Sequence, residues 1–465
     1  MSKYIFDKNF LLSNKSAKKL YKNYVCDLPL IDYHSHLSPA EIAENKRFDS
    51  ITQIWLGGDH YKWRAMRSLG VDENLITGVS SDEDKFKAWA ACIPFTLRNP
   101  LFHWSHLELK NIFGIKEYLC VENAEKIFRR CNDILKRGEV TPHSIFRKYK
   151  VEVQCTTDDP TDDLSFHQNS NISTKVLPTF RPDKFLNIGL KKSFKEHLRK
   201  LELLVGFPIK GIADLERALF LRIEEFHKAG CLLSDHGLNQ LPKFKNFTDA
   251  LEKEFESFLT NEDPPSFSDP EAFAFRILWA LSKKYHEKGW VQMFHLGAFR
   301  NNNTRYFNRL GPDSGFDSIG DDPQAKRVIG FLNRLDREES LTKTILFNIH
   351  PVDNELFTSI LGNFSTDGIR GKIQLGPGWW FMDQLDGMEK QMNALSSIGI
   401  LSTFIGMTTD SRSFLSFERH DYFRRLLCNL LGREMENGLL PKDYKWVGQI
   451  AADISYHNIK TYLNI

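Results

Sequence analysis

Eight short runs of apolar and β-forming residues, most of them separated by longer stretches of helical pattern, constrain this chain more than any other feature. They are residues 30–37 (LIDYHSHL), 151–156 (VEVQCT), 175–179 (KVLPT), 231–235 (CLLSD), 291–296 (VQMFHL), 344–349 (TILFNI), 372–375 (KIQL) and 402–407 (STFIGM). Their hydrophobicity is continuous rather than alternating, as strands covered on both faces require in an all-parallel sheet. Among the intervening segments, residues 214–229 place Leu215, Leu219, Ile223 and Phe226 on one stripe, start on an acidic residue and stop at Gly230, which predicts a helix. Residues 423–435 repeat that spacing with Phe423, Leu426, Leu427, Leu430 and Leu431. Strands alternating with helices are βα units, and eight of them predict an α/β fold closed as a (β/α)8 TIM barrel rather than an open sheet.

Two intervals are too long for simple βα connections. Residues 38–150 are expected to form a mostly helical insertion after the first strand, and residues 236–290 a helical insertion after the fourth, within a single barrel domain spanning 1–465. A polar, proline-rich loop, residues 261–270 (NEDPPSFSDP), falls inside the second insertion.

With 465 residues, 41% of them hydrophobic and 12% aromatic, the chain can bury a large core. A formal net charge of +2, with no long block of either sign, points away from nucleic acid and from a membrane surface. Asp7 and Lys8 interrupt what would be the apolar region of a signal peptide, and no run of about twenty apolar residues follows. Seven cysteines scattered from Cys26 to Cys428, without CxxC spacing, argue against a disulfide framework and a thiolate zinc site. A reducing, cytoplasmic setting is expected.

The first strand ends in Asp32-Tyr33-His34-Ser35-His36. Residues two apart on a strand point the same way, so His34 and His36 can grip one ion at a barrel mouth. A bare HxH is usually accidental; its place on the first strand is what gives it weight. His295 and Asp410 are candidate partners at other strand ends, although taken alone each reads equally well as a bonded core histidine and a helix N-cap. Imidazoles with a carboxylate suit one divalent transition metal, zinc or manganese, better than calcium.

Arg181, Arg300 and Arg412 also flank strand ends, and a guanidinium can hold a carboxylate through two parallel hydrogen bonds, which points to an acidic substrate. The neighbouring Asn301, Asn302 and Asn303 offer either hydroxyl-binding amides or an exposed turn. In GPGWWF, Trp379 or Trp380 can stack on a sugar ring or simply pack the core. His60 and Tyr61, after a glycine pair, are candidate hydrogen-bond donors or proton carriers.

Together DYHSHL, GDHYKWRAMR, TTDDP, RPDK, HLGAFRNNN, LGPGWWF and GMTTDSRSFLS resemble the uronate isomerases of the amidohydrolase superfamily, in order over nearly the whole chain. The resemblance implies a barrel of the metal-dependent hydrolase type and the interconversion of D-glucuronate with D-fructuronate and of D-galacturonate with D-tagaturonate, in hexuronate breakdown. It places metal ligands at His34, His36 and Asp410, and substrate or catalytic contacts at His60, Tyr61, Arg181, His295, Arg300, Trp379 and Arg412. Relatives with two metals use a carboxylated lysine on the fourth strand. Here that strand ends in Ser234-Asp235-His236, so a single metal is expected, with direct coordination by His295 left open.

Isomerisation of this kind needs a base for the C2 proton and stabilisation of the oxygen that gains negative charge. Asp410 is expected to shuttle the proton with Arg412 holding it ionised, Tyr61 or His60 to act on the oxygens, and Arg181 and Arg300 to meet the uronate carboxylate. A metal-dependent hydrolase is the alternative enzyme, and a sugar-binding protein without turnover the alternative from another class. The small-molecule partner is a hexuronate, and association into a homo-oligomer is left open.

Overall fold

Alternation within several of the apolar runs divides their side chains between two cores. The computed structural model describes residues 6–168, 172–261 and 264–465, and among them ten strands: β1 (Leu30–Asp32), β2 (Val151–Cys155), β3 (Lys175–Leu177), β4 (Thr179–Phe180), β5 (Leu233–Leu238), β6 (Val291–Leu296), β7 (Ala298–Phe299), β8 (Ser318–Ile319), β9 (Thr344–Asn348) and β10 (Ile373–Leu375). Ile31, Val153, Leu233, Met293, Ile345 and Phe347 share an inner core. Leu30, Phe294, Leu296, Leu346, Ile373 and Leu375 look the other way, into a larger core shared with the helices. Both faces are dry, which is why the runs read as unbroken hydrophobic stretches.

The strands form two parallel sheets, ordered β1-β2-β3 and β10-β9-β6-β5-β4, with β7 and β8 as a small antiparallel pair. β3 and β4 are consecutive stretches of chain separated by Pro178, which has no N–H to give to a ladder. The run at 291–296 becomes a strand over its full predicted length; those at 151–156, 344–349 and 372–375 lose one residue each, and three others depart further. β1 ends at Asp32, so His34 and His36 lie beyond the strand. β5 continues to Leu238, so residue 236, the expected start of the second insertion, lies inside the strand and the insertion begins after it.

The run at 402–407 is not a strand: it begins as the 3-10 turn Leu401–Thr403 and continues without regular structure. Gly406 bends it with φ +75°, and a Cβ there would overlap the main-chain oxygen of Ile454. This segment nevertheless reaches the continuation of β1, where Asp410 N donates to His34 O at 3.1 Å and His36 N to Ser411 O at 3.0 Å.

Between β1 and β2 the chain is helical, from Pro39–Ala43 to Pro142–Lys148, and between β5 and β6 it forms Asp249–Thr260 and Pro270–Lys288. Of the polar loop expected at 261–270, Glu262 and Asp263 lie outside the described residues, as do residues 1–5 of the amino-terminal stretch. The helix expected over 214–229 is Ile212–Lys228, and that over 423–435 starts five residues earlier, as Glu418–Glu436. Tyr456, Ile459, Tyr462 and Leu463 enter the inner core. The Tyr462 hydroxyl donates to Lys372 O at 2.8 Å, where β10 begins, so this last helical segment seals the N-terminal ends of the strands. No helix among the described residues is long and apolar enough to cross a membrane.

Candidate active site

At the opposite, C-terminal ends of the strands, the chain turns polar. Asp410 adopts φ +42°, a left-handed conformation costly for a non-glycine residue and tolerated by Asp better than by most. That turn brings its Oδ1 3.0 Å from His34 Nε2 and 3.1 Å from His36 Nε2. Burial alone would raise the Asp410 carboxyl, but the two imidazoles hold it well below the usual carboxylate range. The N-cap role open to Asp410 is not taken; Ser413 caps the turn that follows. Burial pushes His36 down to about 4, while Asp235 and Asp410 overcome the burial of His34 and raise it.

His295 is buried and donates from Nδ1 to Asp235 Oδ1 at 2.7 Å, leaving its buried Nε2 without a hydrogen-bond partner. A histidine tied to a carboxylate on one nitrogen, with the other free, is the usual state of a metal-binding imidazole. His34, His295 and Asp410 bring ligand atoms within 4.8 Å of one another, so these three residues fit a divalent cation. His36 lies on the cavity side of the same carboxylate.

The arginines converge as well. A cavity of about 840 Å³ opens beside Asp410 and is lined by Arg181, Arg300 and Arg412, with His60, Tyr61 and Trp380 facing them. Arg181 is held by Asp235 and Asp183, each at 2.9 Å, so its guanidinium is fixed before any ligand arrives. Arg300 stacks on Trp380, 4.6 Å from the ring centroid, and burial beside Arg181 lowers its pKa. Asp313 bridges Arg300 at 3.5 Å and Arg412 at 3.2 Å. Arg412 was expected to keep Asp410 ionised; in the structure His34 and His36 do so, and Arg412 pairs with Asp313.

The aromatic residues divide. Trp380 faces the cavity, whereas Trp379 packs in the inner core with its ring 4.8 Å from His295. His60 stacks on Tyr61 at 4.9 Å, and both start the helix His60–Ser68 that Asp59 caps. Of the three asparagines, Asn303 caps the helix Thr304–Leu310 and Asn302 bonds Phe299 O and Ser318 Oγ, so the turn reading describes them; Asn301 lines the cavity.

This geometry meets a consistent set of relatives. A family model described as glucuronate isomerase matches residues 1–463. A uronate isomerase of Flavobacterium johnsoniae is 50% identical over 460 residues, covering 98% of this chain and 97% of that one. The chain belongs to the glucuronate isomerase family. Another uronate isomerase, from Bacteroides thetaiotaomicron, is 48% identical over 99% of both chains. Among solved structures, the uronate isomerase of Thermotoga maritima superposes with a TM-score of 0.91 at 32% identity, covering 99% of each chain.

Within this glucuronate isomerase family member, several groups at the site carried no sequence signal of their own. Asp235 holds both His295 and Arg181, a role that depends on the parallel pairing of β5 with β6. A Cβ at Gly237 would overlap the Arg181 guanidinium, so the glycine gives that arginine its place. Asp32 accepts from Thr409 N at 2.7 Å, Thr409 Oγ1 at 2.7 Å and Thr408 Oγ1 at 2.9 Å, tying the segment before Asp410 to β1. Asp383, which accepts from Tyr61 at 3.0 Å, is the second residue after GPGWWF and could have been sought there.

Proposed function

We propose that the chain interconverts D-glucuronate with D-fructuronate and D-galacturonate with D-tagaturonate by moving hydrogen between C2 and C1. The observation that carries this reading is one cavity in which an ionised carboxylate, Asp410, faces three arginines suited to an anionic sugar. Asp410 takes the C2 proton and returns it to C1. Its low pKa keeps it ionised at neutral pH, and the nearby imidazoles accept charge as the proton moves. Arg181 and Arg300 bind the substrate carboxylate, Tyr61 and His60 hydrogen-bond the oxygens, and Trp380 covers a sugar face.

His34, His295 and Asp410 would hold one divalent cation, zinc or manganese, with His36 beside them. When bound, the ion supplies Lewis-acid stabilisation of the oxygen that gains negative charge.

The same reading treats residues 1–465 as a single (β/α)8 barrel with helical insertions at 38–150 and near 236–290. Support comes from the strand order on either side of Pro178, the inner core enclosed by both sheets, and the main-chain bonds from 410–411 to the continuation of β1. A cytoplasmic setting agrees with seven cysteines that form no disulfide among the described residues.

The test is NMR of purified protein with each uronate in heavy water, with and without added zinc or manganese. Ketose formation with deuterium entering at the transferred position is expected; hydrolysis of amide or ester substrates without uronate turnover would overturn the reading.

A further inference from the structure

The Tyr61 hydroxyl donates to Asp383 Oδ2 at 3.0 Å. Arg419 Nη1 lies 3.5 Å from that same oxygen and also donates to Thr409 O at 3.3 Å, on the residue preceding Asp410. The Arg419 guanidinium sits 4.2 Å from the centroid of the Trp104 ring, which limits where it can move. Asp383 and Arg419 are both buried, and they join three regions far apart in sequence: the helix bearing Tyr61, the segment after GPGWWF, and the turn bearing Asp410.

A buried carboxylate this close to a phenol and a guanidinium decides which way the phenol points. Burial raises Asp383 to about 6 against the pull of Arg419, so it is mostly ionised at neutral pH. Burial, reinforced by Asp383, holds the Tyr61 phenol well above its ordinary value. The shared hydrogen therefore stays on Tyr61 and points at Asp383, which leaves the tyrosine lone pairs free to accept.

We infer that Asp383 is a positioning residue for the isomerisation: by taking the Tyr61 hydroxyl hydrogen it makes Tyr61 a hydrogen-bond acceptor toward a substrate hydroxyl, with Arg419 keeping the pair in register with the Asp410 turn. This inference rests on the isomerase reading above. Asp383 touches no substrate; it acts through Tyr61.

A double-mutant cycle on the full chain tests it, with kcat and KM measured for wild type, Asp383→Asn, Tyr61→Phe and the pair. Asp383→Asn is expected to lower kcat about 10- to 100-fold with KM changed by less than about threefold, the size of effect that misplacing one catalytic contact produces. Combined with Tyr61→Phe it should add no further loss, because its effect runs through the hydroxyl already removed. Losses that multiply, or a wild-type rate for Asp383→Asn, would overturn the inference. Should Asp383→Asn fail to fold, Asp383→Glu, which shifts the carboxylate by one methylene, enters the same cycle with the same two outcomes. Absence of uronate turnover in the wild type would instead defeat the isomerase reading, so the two failures are told apart.

Discussion

The two ends of the strands differ although the same strands run between them. At the N-terminal ends Tyr456, Ile459, Tyr462 and Leu463 fill the inner core and leave it dry. At the C-terminal ends lie the cavity, a network of buried charges, and four non-glycine residues at positive φ, Asn301, Asp313, Phe381 and Asp410, against Lys150 and Asn464 at the other end. Strain and buried charge both cost stability, and they persist only where surrounding structure over-determines them. The sealed end supplies that surplus and the open end spends it on geometry.

If this division is right, substitutions at the two ends should fail in different ways. The largest effect is expected from Asp410→Asn, which should lower turnover and C2 hydrogen exchange by about two to four powers of ten in a variant that still folds. Near-normal exchange by NMR in a folded variant would reject Asp410 as the shuttle. At the sealed end Tyr462→Ala should cost about 4 kcal/mol in denaturant unfolding, for the lost ring and the cavity it leaves, with KM unchanged in the folded fraction.

Glu418 gives a pH-dependent version of the same contrast. It is buried near the residues that lead into β1 and β2, accepts from Tyr149 Oη and from Asn111 Nδ2, and is pushed up to about 7 by burial. Between an unfolded value of about 4.3 and that folded value, the native chain holds a proton that the unfolded chain has released. Stability therefore falls as pH rises across this window, by at most roughly 4 kcal/mol, and levels off above it. Glu418→Gln should flatten that slope in unfolding titrations from pH 4 to 8; an unchanged slope would assign it to other groups. The smallest effect belongs to Gly237→Ala, whose methyl displaces Arg181: KM for uronates should rise about tenfold, or ~1.4 kcal/mol, with little change for matched neutral aldoses. Equal losses on both substrates would mean that Arg181 does not meet the carboxylate.

The sequence exposes these ends unequally. Burial on both faces is written directly into composition, so the run of β6 is read to the residue. The run at 402–407 misleads because its apolar residues are equally buried while Gly406 and side-chain bonds to Asp32 replace a ladder. His34, His36 and Asp410 were found through motif and position, although the alternation argument fails for a pair that lies past the strand. Asp235, Asp383 and Arg419 were not, since each acts through a partner that only strand register or a long-range contact supplies. Spacing along a chain cannot encode that.

The plug at the N-terminal ends also bears on how the molecule is made. Ile31 and Tyr33 meet Tyr456 and Tyr462 in one core although nearly the whole sequence separates them. During synthesis the early strands can emerge and pair, yet the floor beneath them stays open until those late tyrosines leave the ribosome. A nascent chain therefore carries a finished-looking HxH turn over an unsealed interior, and a single late event completes its interior and its ability to work together.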